Sequence, residues 1–293
     1  VSEHSSSSIL SVAVIGSGTM GRGIAQLCAS ASVAVTLHDP NPGALEAAMS
    51  QIHGSLDRAV SKGKIDAAQA AATRIKLSSS RELLEAVADT NLVIEAIPED
   101  FALKRRLFGE LAIMVSDSTI LASNTSSLSL TELAAGVAFP GRVIGLHFFN
   151  PPTVMKLLEI VMAEQTAPDT LERCQAFAAQ LALEPIVVRD SPGFATSRLG
   201  LVIGLEAIRM LEEGVASAAD IDRAMELGYR HPMGPLKLTD LVGLDTRLFI
   251  AEHLHRELGE RFRPPVLLRK MVRAGKLGQK TGQGFYAWPA KPQ

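Results

Sequence analysis

Three glycines, two acids and a histidine are the residues of this chain whose types and spacing could do chemistry. Gly16, Gly18 and Gly21 stand in GSGTMG, behind the apolar run ILSVAVI (9–15) and ahead of a helical pattern. In a strand–turn–helix setting Gly16 permits the tight turn. Gly18 leaves the backbone open to a pyrophosphate, and Gly21 lets helix and sheet pack closely. The helix start, with Thr19 and Met20, offers unpaired N–H groups to phosphate. A second strand, VAVTLHD (33–39), ends on Asp39. A carboxylate there can accept hydrogen bonds from ribose hydroxyls and repels a 2′-phosphate. Together these residues predict a dinucleotide site that takes NAD rather than NADP.

His147 interrupts the apolar strand RVIGLHFF (142–149), and Glu159 interrupts KLLEIV (156–161). The Asn150-Pro151-Pro152-Thr153 connection is too short for a parallel crossover, so the two strands are expected to be antiparallel. Positions 147 and 159 are equidistant from Thr153 and become cross-strand neighbours on one face. A carboxylate beside an imidazole fixes its tautomer and raises its basicity. An acid in an apolar strand costs stability unless it is paired. Beside a nicotinamide, such an imidazole could take the proton of an alcohol while hydride leaves the same carbon. A purely structural His–Glu contact is the plainer alternative.

These residues need a sheet to position them. Strand-like and helical runs alternate up to about residue 190, which predicts a Rossmann-type, doubly wound, mostly parallel α/β sheet. Helices are read from just after Gly21 to about 31, and over about 44–61, 81–89, 101–115, 128–137 and 169–183. Strands are read at 74–78, 91–97, 119–124 and over EPIVVRD (184–190) besides those above. Ligands of such sheets bind beyond the carboxyl ends of the strands. Asn124, Thr125, Ser126 and Ser127, then His147, and Asp190 with Ser191 are expected at those ends. From Ser191 only helical patterns follow, with Ser191 as N-cap, Pro192 as N1, and Ser217/Asp220 as a capping box. The expected organisation is a flexible lead over 1–8, an NAD-binding domain over 9–190, and an all-α domain over 191–293. LGLVIGLEAIRML is apolar on more than one face, which predicts a homodimer interface in the helical part.

Composition narrows the partners. The net charge of −2 gives no basic field for nucleic acid or anionic membrane. No apolar run reaches the length of a membrane span. VSEHSSSS lacks the basic and apolar regions of a signal peptide. Cys28 and Cys174 have no ligand partner at metal-binding spacing, so no metal is expected, and buried reduced thiols suit a cytoplasmic setting. Lys280-Thr281-Gly282 matches a β-lactamase triplet without its S-x-x-K partner and is set aside. The basic residues between Arg261 and Lys280 read as a solvated face.

GSGTMGRGIAQ, EAIPED, SNTSSLS, HFFNPPTVMKLLE, SPGF, PMGPLKLTDLVGLD and KTGQGFY, in this order, resemble the L-3-hydroxyacyl-CoA dehydrogenases from Gly16 to Tyr286. The resemblance implies NAD-dependent, reversible oxidation of an (S)-3-hydroxyacyl-CoA to the 3-ketoacyl-CoA. It implies His147 as base, Glu159 as its orienting acid, and Ser126 near the substrate's C3 oxygen. It places Asn124, Glu99 and Lys104 on the cofactor side, and Ser55 and Lys62 against CoA. The family usually has asparagine where Ser197 stands here, so substrate polarisation at that position rests on a shorter hydroxyl. Two other readings stay open. One is a sugar-acid dehydrogenase of the L-gulonate, λ-crystallin kind, which shares the fold and a His-x-x-Asn-Pro-Pro stretch. The other is a non-catalytic NAD-binding structural or regulatory protein. Fatty-acid metabolism through β-oxidation is one expected setting; butyrate formation and aromatic-acid breakdown call for the same chemistry.

Overall fold

A computed structural model describes residues 8–289. The lead expected over 1–8 lies outside the described residues except for Ser8. The chain divides into two compact units, the first ending at Asp190 and the second starting at Ser191.

The first unit is built on one eight-stranded sheet: β1 (Ser11–Ile15), β2 (Ala34–His38), β3 (Leu77–Ser80), β4 (Leu92–Glu95), β5 (Ile120–Ser123), β6 (Val143–Phe148), β7 (Leu157–Met162) and β8 (Glu184–Arg189). Their order is β3-β2-β1-β4-β5-β6-β7-β8. The first six are parallel. β7 runs antiparallel to β6, and β8 parallel to β7. Strand order reverses between β1 and β4, the switch point where ligand crevices open. β4, β5 and β6 are buried along their whole length, which is why they read as continuous apolar runs.

The helices of this unit are α1 (Thr19–Ser30), α2 (Pro42–Ser61), α3 (Ala67–Ile75), α4 (Leu83–Val87), α5 (Phe101–Met114), α6 (Leu130–Ala135) and α7 (Pro168–Gln180). Asn41 caps α2 by accepting from the Ala44 N–H at 3.2 Å, with Pro42 behind it. The sequence reading missed α3 and began β3 too early. Asp66 and Gln69 form a reciprocal capping box there, at 2.7 and 2.9 Å, and carry helix through Arg74 and Ile75.

The reversal of β7 also corrects the expected position of Asp190. β8 opposes the first six strands, so its carboxyl end lies at the edge where β6 begins. Asp190 there accepts from the Ser129 hydroxyl and the Thr131 N–H, both at 2.8 Å. It organises the start of α6 and does not share the ligand edge.

The second unit contains α8 (Thr196–Glu212), α9 (Ala218–Gly228), α10 (Pro235–Val242), α11 (Leu244–Leu258) and α12 (Val266–Arg273). Leu201, Leu205, Ile208, Leu236, Leu254 and Phe262 fill its core. Ser191 does not cap α8. Gly193 and Phe194 take φ of +75° and +49°, which interrupts helical backbone and delays the start to Thr196. Ser217 caps α9 through the Asp220 N–H, but the Asp220 carboxylate accepts from the Ser217 hydroxyl, so the reciprocal box does not form. The motifs at the chain's end clasp this unit. Asp240 accepts from the N–H groups of Phe285 and Tyr286 and the Trp288 indole N–H. A Cβ at Gly278 or Gly284 would overlap Asp240. Lys280 donates to Asp245 at 2.6 Å, giving the Lys-Thr-Gly triplet a structural part.

Cys28 and Cys174 are free and buried, and burial pushes both thiols up to about 12. Among the described residues no helix is long and apolar enough to cross a membrane. No group of three or more metal-ligating side chains occurs among them.

Candidate functional site

The turn after β1 shows why its glycines are needed. Gly16 has a φ of +102°, and a Cβ on it would meet the Ala96 carbonyl oxygen at 2.7 Å. A Cβ at Gly21 would overlap the Gly16 carbonyl oxygen. Gly18, the residue before α1, has nothing within 4 Å of where a Cβ would lie. Its lack of a side chain therefore serves no packing need inside the protein. Gly18, Thr19, Met20, Asp39 and Ile97 line a cleft of about 830 Å³ at the switch point.

Asp39 is held at the cleft. Its Oδ2 accepts from the Ser17 N–H at 3.0 Å and the Ser17 hydroxyl at 2.7 Å, and its Oδ1 from the Asn41 N–H at 3.0 Å. Burial pushes this carboxyl up, but the hydrogen bonds from Ser17 and Asn41 and the neighbouring His38 outweigh it, leaving Asp39 below its usual range. His38 also lines the cleft and was not singled out from sequence. Burial lowers its pKa while its Nδ1 meets the Ser80 carbonyl at 3.1 Å.

The register of β6 and β7 sets His147 directly opposite Glu159. The imidazole Nδ1 and the Glu159 Oε2 are 2.6 Å apart. Glu159 is fully buried and His147 is 8 % exposed. With a carboxylate as acceptor, Nδ1 carries a proton, and in the neutral tautomer the lone pair then falls on Nε2. The Phe149 ring lies 4.5 Å from the imidazole, centre to centre.

A buried polar network sits beside this pair. Asn124 accepts from the Phe148 N–H at 2.9 Å, tying the end of β5 to β6 one residue from His147. The Glu99 Oε1 accepts from the Thr125 hydroxyl at 2.5 Å and the Ser126 N–H at 3.0 Å. The Ser126 hydroxyl is 3.5 Å from the same oxygen. Lys104, 1 % exposed, bridges the Glu95 carboxylate at 2.5 Å and the Glu99 carboxylate at 3.2 Å. Glu95 takes a further bond from the Ser123 hydroxyl at 2.6 Å. Burial raises the Glu95 pKa, against the opposing pull of Lys104. Lys104 thus meets protein acceptors and supports Glu99 beneath the 125–127 loop. Sequence reasoning missed Glu95 and Ser123, and placed Thr125 only among the polar residues at the end of the strand over 119–124. Glu95 carried a signal, since it interrupts the apolar strand NLVIEAI as Glu159 interrupts KLLEIV.

Ser55 and Lys62 lie along and at the end of α2. Both line a groove of about 400 Å³ with Arg58, Lys64 and Thr153. Ser55 also borders an adjoining depression with Arg22, Gly23 and Pro152. The clustering of Arg22, Arg58 and Lys64 around these two residues was not legible in sequence. Ser197 lies in the first turn of α8, half-buried, in the helical unit.

Residues 11–191 match the NAD-binding domain of 3-hydroxyacyl-CoA dehydrogenase, and residues 193–288 match its C-terminal domain. The chain is 44% identical over 284 residues to a probable 3-hydroxybutyryl-CoA dehydrogenase of Bacillus subtilis, covering 97% of this chain and 99% of that one. Two solved structures superpose on it with a TM-score of 0.92. They are Mycobacterium tuberculosis FadB2, at 42% identity over 96% of this chain and 100% of that one, and Ralstonia eutropha (S)-3-hydroxybutyryl-CoA dehydrogenase PaaH1, at 41% identity over 97% and 100%.

Proposed function

This chain belongs to the 3-hydroxyacyl-CoA dehydrogenase family, and from that membership we propose that it oxidises (S)-3-hydroxyacyl-CoA to 3-ketoacyl-CoA with NAD, through His147 as the proton-transfer group. The residues at the switch point fit the dinucleotide. Gly18 has open space before it at a helix N-terminus, and Asp39 offers an ionised acceptor where a ribose hydroxyl would lie. Thr19 and Met20 complete that wall, and Asn124, Glu99 and Lys104 shape the cofactor side of the 124–127 loop. Bound there, NAD supplies the acceptor for the hydride that leaves C3.

The rest of the chemistry falls to the chain. His147 Nε2 takes the C3 hydroxyl proton as the C–H bond to the same carbon breaks and the carbonyl forms. In the reverse direction the imidazolium returns that proton to the forming alkoxide. Glu159 holds Nδ1–H and stabilises the imidazolium while it exists. The Ser126 hydroxyl stands near the C3 oxygen, and Ser197 takes the substrate-polarising part that asparagine plays in relatives. Ser55 and Lys62, with Arg58 and Lys64 beside them, bind CoA through its phosphates. The observation that carries this reading is the 2.6 Å contact between His147 and Glu159 at the carboxyl end of β6, one residue from the Asn124 tie.

A homodimer formed through the helical unit suits the apolar side chains exposed there, among them Leu199 and Phe249. A cytoplasmic setting suits the two reduced, buried thiols. The test is turnover of (S)-3-hydroxybutyryl-CoA with NAD, set against its (R) enantiomer and against L-gulonate. Turnover of the (S)-thioester alone is expected. Oxidation of gulonate in its place, or NADH binding with no oxidation of any thioester, contradicts the reading.

A further inference from the structure

His38 lines the dinucleotide cleft and has no part in the chemistry above. It is the last residue of β2 and is 6 % exposed. Its Nδ1 lies 3.1 Å from the carbonyl oxygen of Ser80, the residue in register with it on β3. A carbonyl oxygen only accepts, so Nδ1 carries the proton of this bond. Burial holds the His38 pKa below its ordinary value, against the opposing pull of the Ser80 carbonyl, Asp39 and Glu82. The ring is therefore neutral at neutral pH, and the lone pair falls on Nε2. Among the described residues nothing bonds to Nε2, and this nitrogen is not sealed from solvent. The imidazole thus offers the cleft one acceptor, with its tautomer fixed from behind.

The place of His38 along the cleft decides what that acceptor meets. In a site of this kind the pyrophosphate lies at the glycine turn and the ribose hydroxyls at the acid after the second strand. That acid, Asp39, directly follows His38, so the base of the dinucleotide comes next along the same wall. Leu83 of α4 and Leu103 and Leu107 of α5 line the cleft as well. Apolar side chains suit the flat faces of a purine and leave its edge to a few polar groups. The edge of adenine presents one donor, the 6-amino group, among ring nitrogens that accept. Hypoxanthine has an oxygen at that position, which a lone pair repels. Glu110 is a second acceptor on this wall, but it is half-exposed and lies 4.0 Å from Arg106.

We propose that His38 accepts a hydrogen bond from the 6-amino group of the cofactor's adenine through Nε2, and so selects an adenine dinucleotide over one with an oxygen there. This rests on the NAD site described above and adds the group that reads the base. His38 takes no part in the proton transfer at His147.

The matched probes are NADH and reduced nicotinamide hypoxanthine dinucleotide, which differ at the purine 6-position and in the N1 proton that goes with it. Fluorescence titration gives the affinity of each without turnover. The wild-type enzyme is expected to bind NADH ~5- to 50-fold more tightly, the effect of setting a buried lone pair against an oxygen. His38→Phe keeps a ring without an acceptor. It is expected to bring NADH affinity to within ~3-fold of the analogue's, with the analogue's own affinity little changed. His38→Leu supplies the same reading should the phenylalanine variant not fold. Equal losses on both dinucleotides would mark a histidine that only ties β2 to β3 and overturn the proposal, as would a wild-type enzyme with no preference. A preference kept in the His38 variants and lost in Glu110→Gln would assign the base to Glu110, and also overturns it. NADH binding without the preference leaves the NAD site standing, whereas binding of neither dinucleotide removes both.

Discussion

Glu159→Gln tests the proton-transfer site by a change of one atom. The carboxylate is fully buried and 2.6 Å from the imidazole Nδ1. As His147 takes the proton, a positive charge develops whose centre lies ~4 Å from the carboxylate, an interaction of ~4 kcal/mol at an effective dielectric of ~20. The amide retains part of this as a dipole, and the charge is incomplete in the transition state, so ~2–3 kcal/mol is lost, or ~30- to 150-fold in kcat. A second effect acts in the same direction. The amide NH₂ can donate to Nδ1, which moves the ring proton to Nε2 and removes the lone pair that accepts from substrate. The expected fall in kcat is therefore ~10²- to 10³-fold. Single-turnover oxidation of (S)-3-hydroxybutyryl-CoA by NAD, followed by NADH absorbance, isolates the chemical step, and fluorescence titration gives NADH affinity separately. Affinity is expected to be unchanged, because Glu159 contacts the imidazole and not the Gly16–Gly21 turn. A loss of kcat below ~3-fold, or an equal loss in NADH affinity, would refute the reasoning.

Three further outcomes follow from other parts of the site. Lys104→Met leaves Glu95 and Glu99 without their shared cation and should cost about 3–5 kcal/mol in denaturant unfolding; a cost below ~1 kcal/mol would show that the network relaxes around the loss. Gly18→Ala should fold as well as wild type, having no protein atom within 4 Å, yet bind NADH at least ~10-fold more weakly, whereas Gly21→Ala should lower thermal stability as well; equal stability in both variants would contradict the packing assigned to Gly21. Asp39 has a folded pKa below its unfolded value, so its hydrogen bonds contribute stability above the unfolded carboxylate range, ~3.9, and that contribution is lost as pH falls through the depressed folded value. The stability gap between wild type and Asp39→Asn should close in acid, and the variant should accept NADPH better; a gap that widens in acid would reverse the sign.

Much of this was legible in the sequence because it depends on local periodicity. The antiparallel pairing of His147 with Glu159 followed from a four-residue connection and two polar interruptions of apolar strands. The glycine turn and Asp39 were legible because tight turns and strand ends leave local marks. α3 escaped because AAQAAATRI has no apolar stripe, although the Asp66–Gln69 box marked its start. Asp190 was placed at the wrong edge because strand direction beyond the β6–β7 reversal accumulates and is not local. Arg22, Arg58 and Lys64 come together only through the packing of α1, α2 and the 150–154 connection.

The most direct measurement is the single-turnover rate of His147→Gln with saturating NADH and acetoacetyl-CoA. Removing the proton donor should slow hydride transfer by at least ~10²- to 10⁴-fold while NADH still binds with wild-type affinity. A rate within ~3-fold of wild type would mean that some other group moves the proton, and that the histidine and its buried acid only hold two strands together.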